Sequence, residues 1–233
     1  MTQQTVELID HYGTDLTPVN AARVSMNKES SLQEDGELKG ADSKLIKYLA
    51  DHGHTSCFEH QSATLRLKVP IFVARQIHRH RTFAYNEVSR RYVKDELEFY
   101  WPDKWRKAAD NVKQGSSDEE VKVFGKSYLF EYDTEEFEAN DTVQGAAEYA
   151  LARMVSLYKE MLEAKVAPEQ ARMILPQNLM TTFYMSGNLR AWSHFLKLRL
   201  DPHAQKEIRD VAGMARDLLT PLWPISMGAL MNA

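Results

Sequence analysis

The sequence has little cysteine and no long apolar run, and each absence excludes a class of protein. Cys57 is the only cysteine among 233 residues, so no intrachain disulfide can form and a cytoplasmic location is expected. No stretch of about 18 apolar residues is present, which argues against a membrane-spanning helix. The first residues, MTQQTVELIDHYG, lack a charged leader followed by an apolar segment, so a signal peptide is not expected.

Neither sign of charge dominates the composition. Lysine and arginine total 29 against 33 aspartates and glutamates, which gives a formal net charge of −4. This balance argues against broad attraction to nucleic acid or to an acidic membrane, so neither is expected as a partner. Hydrophobic residues make up 43% and charged residues 27%, which is typical of a globular protein with a sizeable core.

Hydrophobic periodicity predicts both strands and helices. Leu65, Leu67 and Val69 alternate with polar residues, as in a strand with one buried face. Strands are predicted at 4–11, 62–69 and 92–101, helices at 18–26, 43–51, 71–81, 143–164, 189–200 and 203–219, and either element at 179–186. No glycine-rich phosphate loop is visible, which argues against a dinucleotide-binding fold of alternating strands and helices. We predict one α+β domain over 1–233, with a central, mostly antiparallel sheet flanked by helices.

Residues 103–141 differ in composition from the rest of the chain. Between Asp118 and Asp141 there are nine acidic residues against two lysines, and a Gly-Ser-Ser turn precedes them. Such a segment cannot bury much apolar surface. We therefore predict a solvated surface insertion near 103–141, and we assign it no chemistry.

Residues 75–91, RQIHRHRTFAYNEVSRR, form the most unusual segment, with five arginines and two histidines. On a continuous helix Arg75, His78 and Arg79 share one face, where like charges repel unless an anion or buried acidic partners lie among them. Arginine can bind a phosphate or a pyrimidine edge through two parallel hydrogen bonds. A solvated basic stretch with surface ion pairs is the alternative, and it fits less well because the basic residues alternate with apolar ones.

Six positions of this segment, Arg79-His80-Arg81, Asn86, Ser89 and Arg91, follow the spacing RHR-x2-S-x-N-x2-S-x-R. This spacing resembles the signature of the flavin-dependent thymidylate synthases. The departure is Ala84, where the signature has serine, so a side-chain hydrogen bond made there in the family is missing or replaced. The segments HGHTSCFEH (52–60), ARMILP (171–176) and KLRLDPHAQKEI (197–208) are also similar to the family.

The resemblance implies an enzyme that methylates dUMP reductively to dTMP. Methylenetetrahydrofolate would be the one-carbon donor and NADPH-reduced FAD the hydride source, with tetrahydrofolate released. The resemblance also implies a homotetramer whose active sites are shared between chains. Cysteine-dependent thymidylate synthases use a thiolate nucleophile instead, and nothing near Cys57 marks it as an activated thiolate.

The resemblance further implies which residues contact the flavin. They are Ser56, Arg79, His80, Arg81, Glu87, Asn188, Arg190 and His194. At His194 the family can have asparagine, and a histidine at this position can still hydrogen-bond the cofactor.

For dUMP, the resemblance implies a site built from more than one chain. Its residues are Gln76, Arg79, Glu87, Ser89, Arg90, Arg91, Arg172 and Arg199. Arg91 and Arg172 are the expected phosphate partners. Arg199 is predicted to be catalytic, because a fixed guanidinium at the uracil edge stabilises negative charge that develops on N3 and O4. A structural ion pair of Arg199 with Asp201 or Glu207 is the alternative.

Two other classes of function remain open from the residues. A metal-dependent hydrolase would use the histidine cluster His52, His54 and His60, whose spacing alone resembles a zinc site. That signal is weak, and we expect no metal. A non-catalytic nucleotide- or RNA-binding module would use the arginines together with the aromatic residues Phe83, Tyr85 and Tyr92 for base stacking.

Overall fold

The structure is a computed structural model, and it describes residues 2–92, 96–110, 116–123 and 142–233. The chain forms two compact units. We call Gln3–Glu87 with Thr181–Ala233 the sheet unit, and Met1–Thr2 with Val88–Met180 the second unit. The prediction of a single domain stays a prediction, and each unit is described by itself.

The described residues form both strands and helices, with three helices in succession after the last strand. The strands are β1 (Thr5–Tyr12), β2 (Ser62–Pro70), β3 (Ala84–Glu87), β4 (Arg106–Ala108), β5 (Ser116–Glu120) and β6 (Met180–Asn188). The helices are α1 (Leu16–Arg23), α2 (Gly40–Asp51), α3 (Ile71–Ile77), α4 (Val143–Glu163), α5 (Pro168–Ala171), α6 (Leu189–Arg199), α7 (Lys206–Leu219) and α8 (Pro224–Asn232).

The main sheet has four strands in the order β1-β2-β6-β3. β1 pairs antiparallel with β2, and β3 pairs antiparallel with β6. Leu65, Leu67 and Val69 of β2 are fully buried, as their alternation with polar residues predicts. The α+β fold with a mostly antiparallel sheet is therefore confirmed.

Helix α6 packs its apolar side into the core of the sheet unit. Trp192, Phe195 and Leu196 are fully buried. The indole Nε1 of Trp192 donates to the carbonyl of Ala63 in β2 at 3.2 Å, which ties the helix to the sheet. This packing fixes the ends of α6, where Asn188 and Arg199 lie.

The C-terminal helix α8 is not among the helices that the sequence predicts. Asp15, just before α1, caps it from a distant part of the chain. Its carboxylate accepts from the backbone amides of Ile225 at 2.9 Å and Ser226 at 2.8 Å. Free amides at a helix start need such acceptors, and here the acceptor lies about 210 residues away, so no local capping signal exists.

Helix α3 ends at Ile77, one turn earlier than the sequence predicts. The expected shared helix face of Arg75, His78 and Arg79 is therefore wrong. The hydroxyl of Tyr85 lies 3.0 Å from the carbonyl oxygen of Ile77 and 2.8 Å from that of His80. This tyrosine satisfies carbonyl groups at the helix end, so the chain can leave the helix there.

The second unit contains the β4–β5 pair and the long helix α4. α4 begins at Val143 as predicted, with the hydroxyl of Thr142 accepting from the amide of Gly145 at 3.0 Å. Its predicted apolar face is not buried throughout, since Met154 is 39% and Leu157 49% exposed. Of the predicted insertion, 111–115 and 124–141 lie outside the described residues, so the insertion stays a prediction.

The strand predicted at 92–101 is wrong for the part that the structure describes. Of residues 96–101, only Phe99 forms a bridge, an isolated antiparallel one to Leu179. The aromatic composition suggested a strand, but no described neighbour continues the ladder beyond this pair. The ambiguous segment 179–186 is instead strand β6, held between β2 and β3.

Candidate functional site

The arginine-rich loop after α3 is held in place by an aromatic side chain. Phe83 is 8% exposed and packs edge-to-face on Trp192, with 4.7 Å between ring centroids. Its ring also lies over Gly187, where a Cβ atom would come within 2.4 Å of the ring carbons. The loop 78–83 is thus fixed by close packing against β6 and α6.

Three cations of the motif region remain at the surface. Arg75, Arg79 and Arg81 are exposed, and none of them forms an ion pair with a residue in the described ranges. Buried acidic partners, one of the two explanations offered by the sequence, therefore have no support in the described part of the chain. The other explanation, an anionic ligand, fits exposed guanidinium groups that form no ion pair with a described residue.

His80 and Arg199 form a direct contact that the sequence did not indicate. Nε of Arg199 donates to Nε2 of His80 at 2.9 Å. A guanidinium cannot accept a hydrogen bond, so Nε2 of His80 is unprotonated and the neutral ring carries its proton on Nδ1. Burial, together with the charges of Arg199 and His194, lowers the pKa of His80 to about 4.

Arg199 is oriented by two acceptors rather than by a carboxylate. Besides His80, its Nη2 donates to the backbone carbonyl of Gln76 at 3.1 Å. The structural ion pair with Asp201 or Glu207 is absent, since Arg199 forms no ion pair with any residue that the structure describes. Burial lowers the pKa of Arg199 from its usual range. A guanidinium held by neutral groups keeps its charge for a ligand, which fits the predicted role of Arg199.

Three more predicted flavin residues lie elsewhere in the sheet unit. Ser56 is exposed in a short 3-10 helix, Thr55–Glu59. Asn188 caps α6, with Oδ1 accepting from the amide of Ala191 at 2.9 Å, which leaves its side-chain NH2 group as a donor. Arg190 forms an ion pair with Glu59.

Three more predicted residues lie beside partners that are distant in the sequence. Glu87, at the end of β3, accepts a hydrogen bond from the hydroxyl of the buried Thr181 at 2.6 Å. His194 is exposed on α6, and its ring lies 6.1 Å from that of His80. Gln76 donates through Nε2 to Oε1 of Gln205 at 2.6 Å. These partners are far away in sequence, so no local pattern could have identified them.

Four predicted substrate residues belong to the second unit and are described there. Ser89 accepts from Nε of Arg91 at 3.2 Å, and the guanidinium of Arg91 lies 5.1 Å from the ring centroid of Tyr92. Arg90 is partly buried, and Arg172 is exposed in the 3-10 turn Arg172–Ile174. This turn lies between Pro168 and Pro176.

The histidines of the metal hypothesis do not converge. The ring of His52 stacks on Tyr48 at 4.0 Å, and the ring of His54 lies 6.2 Å from the same tyrosine. Within the described residues, no three histidine, cysteine, aspartate or glutamate side chains lie close enough to hold a metal ion. The metal-dependent hydrolase therefore has no structural support there.

Among the described helices, none is long and apolar enough to cross a membrane.

The neutral state of His80 predicts a pH dependence of stability. An unfolded histidine titrates near about 6.5, so between that pH and about 4 the unfolded chain binds a proton that the native chain does not. We expect the free energy of unfolding to fall by about 2 kcal/mol from this group between pH 7 and 4.5. Denaturant unfolding at several pH values measures it.

The control for this measurement is a pair of asparagine variants. His80→Asn should flatten the pH dependence between 4.5 and 7, because the titrating ring is gone. His11→Asn, which removes an exposed histidine of β1, should leave the dependence as it is. Equal slopes in the two variants would mean that His80 is not the group responsible.

The comparisons with known proteins cover nearly the whole chain. Residues 7–225 match the family model described as Thymidylate synthase complementing protein. The chain is 40% identical over 207 residues to a flavin-dependent thymidylate synthase of Thermotoga neapolitana, which covers 89% of this chain and 81% of that protein. It is 38% identical over 224 residues to one of Thermus thermophilus, covering 96% and 74% respectively.

A solved structure is similar in both fold and sequence. It is the UMP/dUMP methylase PolB from Streptomyces cacaoi bound with 5-Br dUMP. The two chains superpose with a TM-score of 0.75 and share 32% sequence identity, over 100% of this chain and 96% of the other.

Proposed function

The chain belongs to the family of flavin-dependent thymidylate synthases, and we propose that it methylates dUMP to dTMP. The observation that carries this proposal is the Arg199–His80 contact beside the exposed arginines of the signature. It places a charged guanidinium, oriented by neutral acceptors, next to cations suited to nucleotide phosphates. The relatives are named for thymidylate synthesis, and PolB for methylation of dUMP and UMP.

The donor groups of the sheet unit suit FAD. Its diphosphate carries negative charge, and Arg79 and Arg81 are exposed cations without an ion pair in the described part of the chain. The Nδ1–H of His80 and the side-chain NH2 of Asn188 are hydrogen-bond donors. Ser56, Glu87, Arg190 and His194 are the further residues proposed to hold the cofactor. When bound, the reduced flavin supplies the hydride.

Arg190 can bind the cofactor only if Glu59, its ion-pair partner, leaves part of the guanidinium available. The guanidinium pairs with Glu59, and both side chains are partly exposed, at 54% and 38%. A surface pair of this kind contributes little stability, so an approaching phosphate can take one edge of the guanidinium while Glu59 keeps another.

For dUMP, Arg199 is the proposed catalytic residue. Its guanidinium would lie at the uracil edge and stabilise negative charge on N3 and O4 as the ring becomes reactive. Gln76 and Arg79 of the sheet unit would contact the same nucleotide, with Glu87. Ser89, Arg90, Arg91 and Arg172 of the second unit are proposed to contact its phosphate and sugar.

Methylenetetrahydrofolate as the one-carbon donor and NADPH as the reductant complete the proposal. We also propose a homotetramer with active sites shared between chains, which would let residues of one copy complete the site of another. The effect of Ala84 is part of this proposal. It lies opposite Ser186 in the β3–β6 ladder and is exposed, so the missing hydroxyl leaves no buried group unpaired.

The first test is the visible spectrum of the purified protein, before and after FAD is added. Flavin absorption that stays with the protein through gel filtration is expected. The holoprotein should then form dTMP from dUMP with methylenetetrahydrofolate and NADPH, and UMP assayed in parallel tests the range of substrates that PolB suggests. The absence of bound flavin with FAD in excess would overturn the proposal, and the nucleotide-binding module would replace it.

A further inference from the structure

Three side chains of the sheet unit form a directional chain of hydrogen bonds that ends at Gln76. Nε2 of Gln76 donates to Oε1 of Gln205 at 2.6 Å. Nε2 of Gln205 in turn donates to Oε2 of Glu207 at 2.9 Å. Gln205 lies just before α7, and Glu207, in the first turn of that helix, is only 4% exposed. We call these contacts the Gln76–Gln205–Glu207 chain.

The direction of this chain is set at its buried end. A carboxyl oxygen of Glu207 accepts there, so Gln205 turns its NH2 group towards Glu207. Its carbonyl oxygen then faces Gln76, which must offer its own NH2 group in return. An amide can form a hydrogen bond to Gln205 in either of its two orientations. Glu207, which does not contact Gln76, therefore fixes the orientation of the Gln76 amide through Gln205.

The other polar atom of the Gln76 amide, Oε1, is left as a hydrogen-bond acceptor. Its Oε1 makes no hydrogen bond to any residue in the described ranges, and the backbone carbonyl of the same residue accepts from Arg199 at 3.1 Å. The residue whose backbone orients the guanidinium thus also carries an available side-chain acceptor. The two donors that dUMP offers are N3–H and the 3′-hydroxyl, and either suits an acceptor at this place.

We propose that Gln205 and Glu207 are positioning residues for dUMP, which hold Gln76 with its carbonyl oxygen towards the substrate. The inference rests on the proposed function and extends it to residues that the family signature does not include. A flipped Gln76 amide would place NH2 against a substrate donor. Such a mismatch leaves both groups unpaired and weakens binding by about tenfold or more.

Two variants with opposite polarity at position 205 test the inference. Gln205→Lys keeps a contact with Glu207 and preserves folding, but it offers only donors and therefore forces Gln76 to turn its oxygen away from the substrate. We expect the Kd of the flavin-bound protein for dUMP to rise about tenfold, with melting temperature and flavin content unchanged.

The exchange variant Gln205→Glu/Glu207→Gln is the matched rescue. The carboxylate at 205 accepts from both neighbours, so Gln76 still donates its NH2 group and keeps its orientation. We expect dUMP affinity within about threefold of the unsubstituted protein, although both contact residues are changed. Repeating Gln205→Lys in a Gln76→Ala background should then have no further effect on dUMP affinity.

Each result decides between positioning and mere packing. Equal losses of affinity in Gln205→Lys and in the exchange variant, or additivity with Gln76→Ala, would overturn the inference. Measurements with 2′,3′-dideoxy-UMP identify the donor, since a loss that disappears with this probe assigns the 3′-hydroxyl and a loss that persists assigns N3–H. Failure of the unsubstituted holoprotein to turn over dUMP would refute the proposed function, whereas normal turnover with unaffected Gln205→Lys would refute only the positioning role.

Discussion

Arg199→Ala is expected to fold and to retain flavin, but to form dTMP at least about a hundredfold more slowly than the unsubstituted protein. Among the described residues, the guanidinium of Arg199 is the one charged group that contacts both His80 and the backbone carbonyl of Gln76. Without it, the positive charge that would stabilise negative charge on the uracil ring is lost. Initial rates of dTMP formation, with flavin content and circular dichroism of the same samples, measure the effect.

Two further variants separate orientation from charge. Arg199→Lys keeps a positive charge but lacks the planar guanidinium with its two donating edges. It cannot hydrogen-bond His80 and Gln76 together and still present donors to the substrate, so we expect it to recover little activity. Arg216→Ala, which removes an exposed arginine paired with its neighbour Asp217, should retain full activity. Turnover by Arg199→Ala equal to that of Arg216→Ala would exclude Arg199 from catalysis.

Gly187→Ala is expected to destabilise the sheet unit by about 1–3 kcal/mol and to weaken flavin retention. A Cβ atom at this position would lie 2.4 to 2.5 Å from two ring carbons of Phe83. The ring cannot move freely, because it is 8% exposed and packs against Trp192. Any shift of Phe83 displaces the loop that carries Arg79 and Arg81. Thermal unfolding and flavin content after gel filtration are the measurements.

Gly213→Ala is the matched control. Gly213 lies inside α7, and a Cβ atom there would meet nothing within 4 Å. Alanine favours a helix interior over glycine by about 1 kcal/mol, so this variant should be slightly more stable than the unsubstituted protein. Combining Gly187→Ala with Phe83→Leu should restore part of the lost stability. A Gly187→Ala protein with unchanged melting temperature and flavin content would contradict the packing argument.

Particular elements show how much of the fold can be predicted from the sequence. The alternation of Leu65, Leu67 and Val69 predicted strand β2 because one buried face requires a period of two. The long apolar period after Thr142 predicted α4, but not that Met154 and Leu157 would be exposed. A periodic pattern reports that a face is apolar. It does not report what covers that face.

The end of α3 illustrates a second limit. The helix was predicted to continue past Ile77, but Tyr85 folds back from β3 and reaches the carbonyl groups of Ile77 and His80 where the helix ends. The isolated bridge of Phe99 likewise depends on a partner 80 residues away. Tertiary contacts override local preference in both places, so neither the end of α3 nor the isolated bridge in place of a strand could be predicted.

The sequence by itself determined the family and the class of fold. The spacing of the arginines and histidine in the signature, with periods of two and of three to four, is local information along the chain. Only the tertiary structure decided the state and direction of the site. The neutral His80 depends on Arg199, 119 residues away, and the orientation of Gln76 depends on Gln205, 129 residues away. Hydrogen-bond direction and pKa are set by neighbours in space, and these neighbours exist only once the sheet and its helices have packed.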